Sequence, residues 1–271
     1  MEFLTIVLAG LLGLGSPVGT VFDTAAEKAV LSGLHSADNL TVRMDNSPNY
    51  LWFGGKIDRL RVAGRGLYLT PDLRIDTLEL ETDRLNVDLD RLREEGSESL
   101  PLFLREPLQG AVRLVLTEAD LNRFIQSPAF LEQVGVVGEQ IAEGTPAEAQ
   151  GDRYEVVNPR LDFLGNDRLA FQVEIRDRRD GESLQVRVNS GLAVISGHRL
   201  ELVEPKISLG DRELPPKAIE LIAKAVRERA NLQQYEDRGL LARILKFSMT
   251  DEAIEVAGFI KIQDASAPVS P

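Results

Sequence analysis

Two spacings of apolar residues divide this chain. Val18, Phe22, Ala25, Ala26, Ala29, Val30 and Leu34 recur at three- and four-residue intervals after Ser16-Pro17, a cap residue followed by proline at the first helical position. The spacing predicts an amphipathic helix over residues 16–35, about five turns long, with small residues on its buried side. Alternation with period two then takes over: Leu40, Val42 and Met44, then Leu60, Val62 and Gly64. From there the apolar parity flips, to Leu67, Leu69, Leu73 and Ile75, and flips back at Leu78, Leu80 and Thr82. A strand cannot change parity without an irregularity. One register reconciles both flips: Leu69 opposite Leu73, Leu67 opposite Ile75, Gly64 opposite Leu78, Val62 opposite Leu80 and Leu60 opposite Thr82. Both irregularities then lie side by side near Gly66 and Thr77, which predicts a sharply bent hairpin.

Leu85, Val87 and Leu89 continue the alternation, after a tight turn at Asp83-Arg84 or through another bulge, and residues 94–99 read as a polar loop. Val112, Leu114 and Leu116 make another strand that runs into Thr117-Glu118-Ala119-Asp120, a helix start with acids in its first turn, and Pro128 interrupts or restarts that helix. Residues 138–153 hold one large apolar residue, Ile141, and read as a linker or long loop. Strand patterns resume at 161–163, 169–175, 184–188, 192–195 and 200–207. Pro215-Pro216 opens a helix with Ile219, Ile222, Ala223 and Val226 on one side, and a final hairpin sets Leu245, Phe247 and Met249 against Ile254, Val256 and Ile260. The expected organisation is an apolar N-terminal segment (1–15), a helix and curved-sheet half (16–137), a linker (138–153), a second curved-sheet half with a helix (154–262) and a disordered tail (263–271).

Composition narrows the chemistry. The 271 residues carry a net charge of −12, no cysteine and two histidines, His35 and His198. The charge excludes nucleic acid as a natural partner and argues against loose adsorption to an anionic membrane. Without cysteine there are no disulfides or thiolate sites, and neither histidine lies in a metal-binding spacing, so neither a metal nor a cofactor is expected. Residues 3–14 are nearly all apolar but too short to span a bilayer as a helix; no Lys or Arg precedes them, so they read as a buried or membrane-surface segment, with an export signal as the alternative. Arg59, Arg61 and Arg65 share one strand face, where they read as exposed cross-strand ion pairs, with lipid-headgroup contact as the alternative. Tyr50, Leu51, Trp52 and Phe53 crowd a loop bounded by proline and glycines. They either plug the end of the core or form a membrane-dipping tip.

Several of these stretches carry a family resemblance. Asn46-Ser47-Pro48, Gly55-Lys56-Ile57-Asp58-Arg59-Leu60-Arg61-Val62, Gly64-Arg65-Gly66-Leu67 and Leu114-Val115-Leu116-Thr117-Glu118-Ala119-Asp120-Leu121 together resemble the LmeA-type phospholipid-binding family, best over residues 16–135 and more weakly to 262. The resemblance implies an α+β fold of the tubular lipid-binding type: a strongly curved antiparallel sheet wrapped around a long amphipathic helix, with two further short helices. It also implies acyl chains held in an apolar groove, phospholipid and transiently a membrane surface as partners, and a place at the bacterial cell envelope, though the chain lacks a lipobox cysteine and a clear export signal. It carries over no catalytic residue. On this reading the cavity wall is formed by Phe22 and Ala26 of the helix and by Leu60, Val62, Leu67, Ile75, Leu78 and Leu80 of the sheet. Two rivals stay open: an envelope scaffold protein of the same fold with a filled core, and a hydrolase using a carboxylate pair.

Overall fold

The structure is a computed structural model, and it describes residues 31, 34–45, 55–88, 104–132 and 153–263. The helix expected at 16–35, with Phe22 and Ala26, therefore lies outside the described residues apart from its last positions, as do Leu89, the loop of Tyr50, Leu51, Trp52 and Phe53, most of the linker and the tail. The described chain is built mostly of antiparallel strands. A six-stranded sheet runs in the order β1 (Ser36–Asp45), β3 (Arg59–Tyr68), β4 (Arg74–Thr82), β6 (Leu108–Thr117), β13 (Ala253–Ile262), β12 (Leu240–Met249). A five-stranded sheet contains β7 (Tyr154–Gly165), β8 (Arg168–Asp177), β9 (Ser183–Ile195), β10 (Arg199–Leu209) and the short β11 (Arg212–Glu213). Short strands β2 (Lys56–Ile57) and β5 (Leu85–Asn86) pair with each other. Helix α1 (Glu118–Ile125) and helix α2 (Pro216–Arg229) fall where the sequence places helix starts.

The β3–β4 hairpin has the register that the parity flips demand: Val62 faces Leu80, Gly64 faces Leu78 and Leu67 faces Ile75, and Leu69 N–H donates to Leu73 O at 2.9 Å. Gly66 sits at φ +58°, a conformation that side chains resist, and a Cβ there would collide with Asp38. This glycine lets inward-facing residues change parity without shifting the strand partner.

Three other strand pairs carry bulges. The β7–β8 register shifts between Val157 and Arg160, and the β9–β10 register between Val203 and Lys206; Asn158 and Glu204, inside those gaps, both have positive φ. Each shift flips parity, so Val156 and Leu161, and likewise Leu202 and Ile207, reach the same apolar face. In the β12–β13 hairpin the shift falls between Ile244 and Lys246. That corrects the sequence pattern: Leu245 is the bulged residue and is 74% exposed, while Ile244 stands opposite Gly258 in its place. The hairpin also leaves the second sheet and extends the first one beside β6.

The two sheets meet along β12. Ile244 N–H donates to Gly197 O at 2.6 Å, Asp167 N–H to Met249 O at 3.1 Å, and Met249 N–H to the Asp167 carboxylate at 2.6 Å. The tight turns of the second sheet thus satisfy the backbone of an edge strand that would otherwise invite pairing.

Candidate lipid-contact surfaces

α1 is the hinge between sequence motif and fold. Thr117 is its N-cap: its hydroxyl accepts from Asp120 N–H at 3.1 Å and donates to the Asp120 carboxylate at 2.7 Å. Asp120 is buried at 3% side-chain exposure and takes Arg74 Nη1 at 2.8 Å and Arg123 Nη1 at 3.3 Å. Arg74 also pairs with Asp76 and Asp38 and lies over the Tyr68 ring. Burial opposes the charge on this guanidinium, but hydrogen bonds and attraction to Asp120, joined by hydrogen bonds to Asp38 and Asp76, outweigh it and raise its pKa. On the other side of α1, Asn122 brackets Leu161, its amide donating to Leu161 O at 2.6 Å and accepting from Leu161 N–H at 2.8 Å. Glu118 accepts from Phe163 N–H at 2.6 Å, and Gln126 donates to Pro159 O at 3.1 Å. Helix side chains thereby take the place of a neighbouring strand along β7. The Thr-Glu-Ala-Asp-Leu-Asn stretch is a structural device, joining cap, ion pair and sheet edge.

The six sheet residues read as cavity wall all lie on one apolar face. Leu60, Val62, Leu67, Ile75, Leu78 and Leu80 are buried in a single cluster with Val42, Leu85, Val87 and Leu108. In the middle rows burial declines across the sheet, while Leu108, Ile262 and Met249, nearer the strand ends, stay buried. Val112 and Leu114 on β6, Val256 and Ile260 on β13, and Ile244 and Phe247 on β12 continue the same rows but are only half-buried. In the five-stranded sheet Leu161, Phe171 and Val188 line up with Ile207, and of these only Ile207 is buried, although Phe163 and Val173 on the same face are buried too. Val186, Leu192 and Leu202 on the same face are half-exposed.

The outward faces are polar. Lys246, Glu255, Arg113 and Glu79 form an ion-pair ladder over four strands, with contacts of 3.3, 3.0 and 3.4 Å. Hydrogen bonds from Arg113 and Lys246 hold the Glu255 carboxyl below the usual carboxylate range. Arg59 pairs with Glu81 at 3.3 Å and Arg61 with Asp45, while Arg65 is exposed on the same face. Glu81 stands opposite Arg61 in register, but its ion pair is made by Arg59. An open recess of about 560 Å³ on the outer face of the second sheet mixes Arg187 and Lys206 with Asp211 and Glu213, so its charges balance. His35 is exposed, and His198 Nδ1 lies 2.9 Å from Ser196 O in a turn. Among the described residues no cluster of acids and histidines has the arrangement of a metal site, and no helix is long and apolar enough to cross a membrane.

A fold of curved antiparallel sheet with half-covered apolar faces suits a long apolar ligand. The profile of the LmeA-like phospholipid-binding family matches residues 15–259. The chain belongs to this family. No curated protein and no solved structure gives a significant match to the chain. The family is a phospholipid-binding one, which suggests lipid binding for this chain.

Proposed function

We propose that this LmeA-like protein holds phospholipid by its acyl chains, without a chemical step, and exchanges it at a membrane surface at the cell envelope. The observation that carries the reading is the graded burial of its apolar rows. The β1–β3–β4 end is closed, whereas the middle rows of β6, β13 and β12 and part of the inner face of the second sheet keep large aliphatic and aromatic side chains half-exposed. Apolar side chains aligned over several strands and only partly covered offer a long strip of favourable contact, at about 25 cal/mol per Å² of apolar surface removed from water. Acyl chains match that strip in chemistry, being apolar along their whole length. On this reading Leu60, Val62, Leu67, Ile75, Leu78 and Leu80 form the closed floor, with Phe22 and Ala26 proposed to share it. Val112, Leu114, Phe171 and Val188 make the contact surface. Tyr50, Leu51, Trp52 and Phe53 remain proposed as a membrane tip. The ion pairs of Arg59 and Arg61 make the headgroup role the weaker one for them.

Binding of a phospholipid with a pyrene-labelled acyl chain tests the reading. Leu114→Asp and Val188→Asp each place a charge on the contact strip and should weaken binding at least about tenfold. Arg187→Asp, on the outer face, should leave it unchanged. Equal binding by all three folded variants would overturn the assignment. The closed packing around Leu60 and Leu80 favours a second reading for that end of the sheet, a scaffold with a filled core. Such a protein would bind no labelled lipid at all.

A further inference from the structure

We infer that α2 is a docking element for an anionic lipid surface. The helix has no buried residue along its whole length. Its inner side, Ile219, Ala223 and Val226, is half-buried where the helix packs along β10, and Ala230 O, just past its end, accepts Leu200 N–H at 3.2 Å. Leu221 and Ile222 are more exposed than that side, at 62% and 38%. The sequence pattern sets Ile222 with the packed side, and its exposure puts it at the edge of that side. At 100° per residue Leu221, Ala225 and Ile222 form one strip turned roughly 115° from the packed side.

Charge identifies what covers the strip. Lys217 and Lys224 border it beside Leu221, and Arg229 extends it at the helix end, with Arg227 in the same last turn. Four cations against Glu220 and Glu228 make α2 a locally basic element on a chain of net charge −12. The Lys224–Glu228 pair is long, at 3.8 Å, and both side chains are about two-thirds exposed, so it leaves the lysine available. An apolar strip flanked by lysines fits the boundary between acyl chains and anionic headgroups, where leucines insert and lysine stems lie along the apolar layer with their ammonium groups in the headgroups. A second copy of the chain is a poorer occupant, because pairing α2 with α2 would set one basic element against another. The strip is separate from the acyl-contact rows, so docking rests on the lipid-binding reading only for its purpose.

Flotation of the full chain with vesicles decides it. Vesicles of equimolar phosphatidylcholine and phosphatidylglycerol should carry the protein, phosphatidylcholine alone should carry it weakly, and added salt should reduce the difference. Leu221→Ser/Ile222→Ser should lower binding to anionic vesicles about tenfold. Lys217→Glu/Lys224→Glu should remove the preference for anionic vesicles. Both exposed pairs should leave the melting temperature and copurified phospholipid as in the parent. Vesicle binding absent in the parent or unchanged in both variants would overturn the inference, as would a dimer that becomes a monomer in the serine variant. Loss of copurified phospholipid with α2-dependent flotation intact would instead count against the acyl-chain reading alone.

Discussion

Asp120→Ala removes one side chain from a buried charged node, and the structure sets the cost. Deleting one partner of a fully buried ion pair costs about 3–5 kcal/mol, because the other charge is left unpaired. Arg74 is not fully buried, at 19% side-chain exposure, and it keeps Asp76 at 3.2 Å and Asp38 at 3.4 Å. The expected loss is therefore lower, about 2–3 kcal/mol, and includes the bond from the Thr117 hydroxyl. For a body of this size that lowers the melting temperature by roughly 5–10 °C, measurable by scanning calorimetry. A double-mutant cycle with Arg74→Met separates the pair from the rest of the node. The two changes should couple by at least about 1 kcal/mol. A loss under 1 kcal/mol for Asp120→Ala, or additive effects in the cycle, would refute the view that this pair locks α1 to the first sheet.

Asn122→Ala should cost about 1–3 kcal/mol and speed hydrogen exchange at Leu161, because two backbone groups of β7 lose their partners. Leu80→Arg should prevent folding or destabilise by over about 4 kcal/mol, whereas Leu245→Arg, at the exposed bulge, should stay within about 0.5 kcal/mol of the parent in urea melts. Asp177 has its pKa lowered, first by the backbone N–H of Arg179 and then by Arg153, with burial opposing. Its charged form is thus favoured in the folded state. The stability that Asp177→Asn removes should be greatest at neutral pH and vanish as pH falls through and below the usual carboxylate range, read from paired melting curves.

Local pattern and long-range pairing were unequally visible in the sequence. The β3–β4 register was legible because its parity flips in both strands and Gly66 supplies the conformation that reconciles them. The Thr117 cap was legible because capping is decided within four residues. Leu245 was not, since its bulge lies in an alternating run with no adjacent glycine or proline, and the neighbouring strand alone determines which residue is expelled. Periodicity likewise carries no partner information, so the return of β12 and β13 to the first sheet was hidden. Alternation indicated which side Leu60, Val62, Leu67, Ile75, Leu78 and Leu80 face, and all six are buried in one cluster. The half-exposed rows of β6, β8 and β9, the proposed contact surface, were not singled out, because alternation reports which side a residue faces and not whether that side is covered.

Native mass spectrometry of the gently purified full chain tests the central claim most directly. The account predicts a population heavier than the chain by the mass of a phospholipid, which returns to the chain mass after organic extraction and reappears after incubation with vesicles. A folded protein found only at its chain mass, before and after exposure to vesicles, would contradict it.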